Sequence, residues 1–181
     1  MRLALLLLAA SLPAAAATVR GPADVAAMTA SAEAVLHARV IARESRWGAG
    51  GESSGLIFTR VTLQPLEWWK GGGTPAPVVV RVPGGSMGDL TQTVDGVAAF
   101  APREEVVVFL RKLGDEPGAS VYAVERFALG KFSVGRAPGS PARAVRDRSR
   151  VACVGCAPDE EDDLPIRELR ERVRRAAGSA R

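Results

Sequence analysis

Short apolar stretches alternate along the chain with stretches rich in glycine, serine and proline. In 34–43, apolar and polar residues alternate with a period of two, which is typical of a strand with one buried face. The stretch 106–112 is a continuous apolar run, as expected for a central strand that is covered on both faces. The predicted strands are 34–43, 56–64, 78–82, 106–112, 121–127 and 129–134.

Glycine and proline mark the connections between these strands. The Gly and Ser residues of 47–55 predict a flexible loop, so the first two strands form a long hairpin. Asp95 and Gly96 are the residue pair typical of a tight two-residue turn. They predict a small hairpin in which 91–94 pairs with 97–100.

A helix is predicted near each end of the chain. The alanine-rich stretch 21–30 is typical of a short N-terminal helix. In 165–177, the residues Ile166, Leu169 and Val173 fall on one helical face, which predicts an amphipathic helix. Because strands and helices do not alternate, we expect a mainly β fold: a small antiparallel β-barrel or a sandwich, with a short helix before it and an amphipathic helix after it.

The first residues have the layout of a secretory signal, with one positive charge, an apolar Leu/Ala run and small residues at its end. The apolar run is too short for a comfortable membrane span. We therefore expect cleavage near Ala17, no stable span afterwards, and a secreted or periplasmic protein. The predicted organisation is a signal peptide in 1–17, a β-barrel domain in 18–135, an irregular surface segment in 136–164 and the C-terminal helix in 165–177.

The charge of the chain disfavours one class of partner. There are 24 Lys and Arg residues against 20 Asp and Glu, a formal net charge of +4, and loss of Arg2 with the signal would lower it further. A nucleic-acid binder normally gathers a larger excess into one dense patch. We expect a protein or an envelope component as the partner, and no nucleic acid.

The residues Gly84, Ser86 and Gly88 fit the Gly-x-Ser-x-Gly pattern of a nucleophile elbow. That pattern requires a helix directly after the serine and, in its own fold, a histidine later in the chain. Here strand-like sequence follows, and His37, the one histidine of the chain, comes earlier. We interpret the stretch as a tight loop, and a serine hydrolase acting through Ser86 stays as the less favoured alternative.

Adjacent aromatic residues suggest a further contact surface. Trp68 and Trp69 follow each other on a predicted strand, so their rings leave opposite faces of the sheet. One ring should enter the core, and the other is available to cap the barrel or to anchor a partner. The candidate binding surface comprises Gly84, Gly85, Ser86, Met87, Trp68 and Trp69.

Cys153 and Cys156 form a Cys-x-x-Cys pair. In an exported protein, two cysteines usually oxidise to each other, and Gly155 permits the tight backbone that so small a ring needs. The acidic run 159–163 would raise a nearby thiol pKa, which disfavours redox catalysis. We predict a structural disulfide, with a thiol oxidoreductase acting through Cys153 as the alternative.

The sequence offers no set of residues suited to a metal or cofactor. Two cysteines and one distant histidine cannot fill a zinc site, and Ala157 stands where haem attachment would need a histidine. The acidic run 159–163 lacks the spacing and the glycine of a calcium loop. We expect no cofactor and no metal.

Three stretches together resemble a known family: 31–40, then 58–71, then 104–110. Their order and composition are similar to those of the OB-fold barrels of netrin-like domains and tissue inhibitors of metalloproteinases, over 31–134. The resemblance implies an OB-like barrel. In those inhibitors an N-terminal cysteine chelates the protease zinc, whereas a chain cleaved near Ala17 would begin without one. The resemblance therefore supports the predicted fold more than it supports an inhibitory activity.

These observations favour an exported, non-enzymatic β-barrel that binds a protein or envelope component through its glycine loops and one end of the barrel. The alternative implied by the resemblance is an inhibitor or accessory of an exported metalloprotease. We assign no catalytic residue.

Overall fold

A computed structural model describes residues 17–48, 54–116, 119–156 and 161–179. The fold is mainly β, as predicted, with one short helix near the beginning and one longer helix near the end. The helices are α1 (Val25–Ser31) and α2 (Ile166–Gly178). The strands are β1 (Ala17–Arg20), β2 (Ala34–Trp47), β3 (Ile57–Lys70), β4 (Val78–Pro83), β5 (Gly85–Met87), β6 (Leu90–Gln92), β7 (Glu105–Glu116), β8 (Ala119–Val124), β9 (Lys131–Gly135), β10 (Arg143–Arg146), β11 (Val151–Val154) and β12 (Asp163–Pro165).

The central sheet has the strand order β12-β10-β9-β7-β2-β3-β4-β8, and an additional pairing joins β7 to β8. This pairing connects β2, β3, β4, β8 and β7 into a near-barrel ring. All neighbours in the ring are antiparallel except β4 and β8, which are parallel. The sheet is therefore mixed, where the sequence predicted an antiparallel one. Five strands cannot alternate in direction all the way round a ring, so at least one parallel pair is unavoidable.

The ring encloses the first hydrophobic core. Alternate residues of its strands point inward, as the period of two requires, and large side chains such as Leu36, Leu63 and Leu110 are fully buried there. One end of the ring is the end at which β4 and β8 finish. We call it the hairpin end, because the β5–β6 hairpin follows β4 there.

The predicted hairpin between 91–94 and 97–100 is wrong. Instead, β6 pairs with β5, and the stretch after Asp95 and Gly96 forms no strand. Ala98 and Phe100 each keep only 4% of their surface exposed and pack into the ring core. Burial of these two side chains in the ring outweighs the local turn preference.

Strand β7 is the central strand that the apolar run predicted. It pairs with β2 on one side and β9 on the other, and its second half pairs with β8. Val106, Val108 and Leu110 point into the ring, whereas Val107 and Phe109 point to the opposite side of the sheet. All five are fully buried.

The helices cover this opposite side and enclose a second core. Helix α1 begins after Asp24, whose carboxylate accepts a hydrogen bond from the Ala27 N–H at 2.7 Å. Helix α2 buries Leu169 and Val173 completely, which confirms the predicted apolar face. Met28 and Phe132 pack in the same cluster.

The part of 136–164 that the structure describes contains three short strands, whereas the sequence predicted an irregular segment. Strand β10 pairs with β9 and β12 and so extends the central sheet. Strand β11 pairs in parallel with β1, a strand the sequence did not predict. These strands are only three or four residues long. Each can therefore bury only one or two side chains, such as Ala144 and Leu164.

Glu67 on β3 fastens helix α2 to the sheet. Its carboxylate accepts hydrogen bonds from the Trp69 indole N–H at 2.9 Å and from Arg174 at 2.7 Å, with Arg170 at 3.4 Å. Burial raises the pKa of Glu67, but the indole and the two guanidinium groups outweigh it and hold the pKa below its ordinary value. The ionised form of Glu67 is therefore favoured by folding.

We predict that Glu67→Gln lowers the free energy of unfolding by about 1 kcal/mol at neutral pH. Because the folded pKa is lowered, the stabilisation is complete above the ordinary value of 4.5 and is lost as the pH falls through the folded value. Urea unfolding at neutral pH and at about pH 3 measures this. An equal difference at both pH values would contradict the assignment.

Candidate functional site

The glycine stretch forms a hairpin that docks on the ribbon of β2 and β3. At Gly85, φ is +146°, and an added Cβ would lie 2.5 Å from the Ser45 hydroxyl and 2.7 Å from that of Thr59. The Gly84 N–H donates to the Ile57 carbonyl at 2.8 Å. These two glycines are therefore required for the close approach of backbone to ribbon.

Ser86 stands apart from any base in the described residues. Its hydroxyl is exposed and lies 2.8 Å from that of Thr91 across the hairpin, and a turn and then β6 follow it rather than a helix. Its N–H bonds to Ser45, which lies eight residues beyond His37 on β2 and so roughly 26 Å from it. His37 instead bonds Glu105, with Nε2 2.8 Å from the carboxylate. Ser86 therefore lies within strand β5 of a short hairpin, where the sequence predicted a tight loop.

The two tryptophans lie on opposite faces of β3, as predicted. Trp69 is 5% exposed and belongs to the core beneath the helices. Trp68 is partly buried, packs against the ring core, and donates from its indole to the Thr74 carbonyl at 3.3 Å. Both lie at the end of β3 opposite Ile57, so the structure does not bring them together with the glycine hairpin.

The cysteine pair lies beside the N-terminal strand. The Cα atoms of Cys153 and Cys156 are 5.7 Å apart, a separation that a disulfide can span. Both sulfur atoms are near the Gly21 carbonyl, and both side chains pack against a small cluster that includes Val19 and Leu129. The disulfide and its structural role stay predictions.

Several large apolar side chains are exposed at the hairpin end. Trp47 is 47% exposed and Leu90 is 59% exposed, and Leu56 is also exposed. Met87, opposite Leu90 in the hairpin, is half-buried. Trp47 lies two residues beyond Ser45, on the same ribbon face that the hairpin crosses. We call these residues, Trp47, Leu56, Met87 and Leu90, the tip surface.

A groove of about 380 Å³ opens beside the ends of β4 and β8, and Val82 and Ala98 of the ring core are among the residues that line it. Arg111 on β7 is opposite Ala123 on β8. The pairing of β8 with β4 ends at Tyr122 and Val80, and the next residue of β4, Arg81, lines the groove together with Ala123. The small alanine between two long side chains forms the floor. The groove is also lined by Val82, Pro83, Val97, Glu125, Arg126 and Phe127. We call it the arginine groove.

The backbone at one wall of this groove is strained. Arg126 and Phe127 have φ of 51° and 57°, in the left-handed region that bulky residues rarely occupy. Phe127 is nevertheless 47% exposed. Its burial therefore does not offset the strain, and this combination is common where a side chain is held for recognition.

The charges of the arginine groove are unequal. Three arginines and one glutamate line it. In the described part of the chain, their ion pairs are limited to that between Arg111 and Glu125, at 3.8 Å. Arg81 lies over the Phe58 ring at 5.0 Å, and Arg126 donates to the Arg20 carbonyl at 2.9 Å. The groove keeps an excess of positive charge.

The remaining chemistry of the described residues is limited. They contain no group of three or more His, Cys, Asp or Glu side chains placed to hold a metal ion. Neither helix among them has the length and apolar character needed to cross a bilayer. In the described part of the acidic run 159–163, Glu161 pairs with Arg172 at 2.6 Å and Asp162 pairs with the buried Arg146 at 3.1 Å. Residues 159–160 lie outside the described part of the chain.

Comparison with known proteins adds no assignment. No protein-family model matches the chain, and no curated protein matches it.

The sequence did not predict the arginine groove. Arg81, Ala123 and Arg111 come from three strands, and only the pairing of β8 with both neighbours brings them side by side. Left-handed backbone is usually marked by glycine, and no glycine stands at Arg126 or Phe127. The one signal in the sequence is the position of Arg111 at the end of the apolar run, where strand alternation makes its side chain point outward.

We predict that Gly85→Ala destabilises the protein by about 2 kcal/mol, because the added Cβ would meet two hydroxyl groups and the backbone angle is unfavourable. Gly88→Ala is the matched control. Its φ is also positive, but nothing lies within 4 Å of the added Cβ, so its cost should be about 1 kcal/mol or less. Urea unfolding measures both, and equal costs would argue against the docking of the hairpin.

Proposed function

We propose that the protein is an exported, non-enzymatic β module that binds a protein or envelope component through the hairpin end of its ring. The tip surface is the observation that carries this proposal. Exposed tryptophan and leucine side chains on a well-packed ribbon are typical of protein contact surfaces, where tryptophan contributes strongly to affinity.

The separation of the reactive side chains supports a binding role over catalysis. Ser86 on β5 bonds a threonine of β6, and His37 on β2 bonds Glu105 on β7. A hydrolase would need the serine and its base within hydrogen-bond reach. A thiol oxidoreductase is disfavoured because the acidic residues that follow Cys156 in the sequence would raise the pKa of a nearby thiol.

The ring supports the OB-like interpretation of the fold. An OB-fold is a five-stranded, partly open barrel, and five strands are joined here with one parallel pair. This observation favours a second candidate, an inhibitor or accessory of an exported metalloprotease. Export itself is supported by the signal-like layout of residues 1–17.

We predict that the double variant Trp47→Ser, Leu90→Ser loses a partner that the unchanged protein captures by crosslinking from an envelope extract. The expected loss of captured partner is about tenfold or more, because the two substitutions remove exposed apolar side chains from the contact. Leu66→Ser is the control, since Leu66 is 47% exposed at the opposite part of β3. The readout is quantitative mass spectrometry of the captured proteins.

The absence of any reproducible partner would overturn the proposal, as would equal capture by the double variant. The same three proteins distinguish the second candidate when they are added in excess to secreted metalloproteases. Inhibition that the double variant loses would favour an inhibitor. Unchanged protease activity would dismiss it and leave the first proposal standing.

A further inference from the structure

We propose that the arginine groove is a second binding site, which takes an extended acidic peptide segment of a partner protein with an apolar residue between its carboxylates. The site is distinct from the tip surface. It lies beside the ends of β4 and β8, and none of the residues of the tip surface lines it.

The floor and walls of the groove suit one apolar side chain. Ala123 points outward, because Tyr122 and Val124 on either side of it pack against the ring core. Its single methyl group leaves a depression between the side chains of Arg81 and Arg111. Val82, Val97 and Phe127 supply apolar walls. A pocket that is apolar, with polar groups at its rim, is the usual form of a binding site.

The rim selects for carboxylates. Arg81 and Arg111 are separated by two strand spacings, so their Cα atoms lie about 10 Å apart. Side chains of an extended peptide alternate between its two faces, so carboxylates four residues apart, about 13 Å along the peptide, share a face with the side chain midway between them. The long arginine side chains can span the difference of about 3 Å. Carboxylates at such positions would each meet a guanidinium group, while the side chain between them enters the depression. Arginine is well suited to this role because its planar group can bind a carboxylate through two hydrogen bonds.

The positive charges of the site exceed its one negative charge. Glu125 is the one acid that lines the groove, and it lies 3.8 Å from Arg111, beyond direct hydrogen-bond distance. Arg60, the neighbour of Arg81 across β3, is already paired with Glu116. Arg81 is held over the Phe58 ring, which orients it without neutralising its charge.

The strained turn gives the groove its exposed aromatic wall. The left-handed conformations of Arg126 and Phe127 end β8 and present the Phe127 ring beside the floor. The Arg126 side chain bonds back to the Arg20 carbonyl and fixes this turn to strand β1. A ring held in this way loses little freedom when a ligand packs against it.

The test is direct titration of the purified protein with synthetic peptides. The probe is an amidated and acetylated peptide with the core Glu-Ser-Leu-Ser-Glu, labelled with a fluorophore, and the control peptide replaces both glutamates by glutamine. We expect the acidic peptide to bind with Kd on the order of 10–100 µM at low salt, about tenfold tighter than the control. Higher salt should weaken the acidic peptide more than the control.

Two kinds of variant test the two parts of the site. Arg81→Glu with Arg111→Glu should weaken the acidic peptide by about 30-fold or more and leave the glutamine peptide little changed. Ala123→Leu keeps the charges but fills the floor, and it should weaken both peptides by about tenfold. Arg136→Glu, at an exposed position away from the groove, is the charge control and should bind as the unchanged protein does.

Equal binding of the two peptides would overturn the proposal, as would tight binding by the double arginine variant or no binding at about 1 mM peptide. Circular dichroism and urea unfolding check that each variant is folded. If Ala123→Leu fails to fold, the arginine variants decide alone. Binding here does not depend on the tip surface, so Trp47→Ser, Leu90→Ser should bind the acidic peptide normally. Failure of this site therefore leaves the proposed function intact.

Discussion

The fold depends on strand β7 burying both of its faces. Val106, Val108 and Leu110 complete the ring core, while Val107 and Phe109 complete the core under the helices. A strand with two apolar faces can be stable only where both are covered. Its backbone groups are shared among β2, β9 and β8. The ring, the extension of the sheet and the helical layer therefore all meet on this one strand.

The two candidate surfaces follow from this arrangement. The first half of β7 pairs with β2, and its second half pairs with β8. Strand β8 also pairs in parallel with β4, and this pairing closes the ring. That closure sets Arg81 and Arg111 on either side of Ala123. The inside of the ring is filled by side chains, so binding is left to its outer face and its hairpin end. The β2–β3 ribbon carries the tip surface, and the docked glycine hairpin supports it.

Much of the secondary structure could be predicted from local pattern, because alternation reports directly which side of a strand is buried. The long hairpin of β2 and β3, strand β7 and helix α2 were predicted in this way. The predicted turn at Asp95 and Gly96 is present, but the hairpin around it is not, since Phe100 gains more by entering the ring than a local hairpin offers. Strands β10 and β12 were missed because they are very short and are stable only as additions to an existing sheet. Strand β11 was missed because it is equally short and pairs only with β1. The arginine groove depends on cross-strand register, which no local pattern contains.

Hydrogen exchange measured residue by residue tests the role of β7 most directly. If both faces of β7 are buried as described, its amides between Val106 and Leu110 open only when the whole protein unfolds, and they should exchange slowest in the chain. Amides of the β5–β6 hairpin, which packs on the surface, should exchange about a hundredfold faster or more. Exchange of the β7 amides as fast as those of the hairpin would contradict the account.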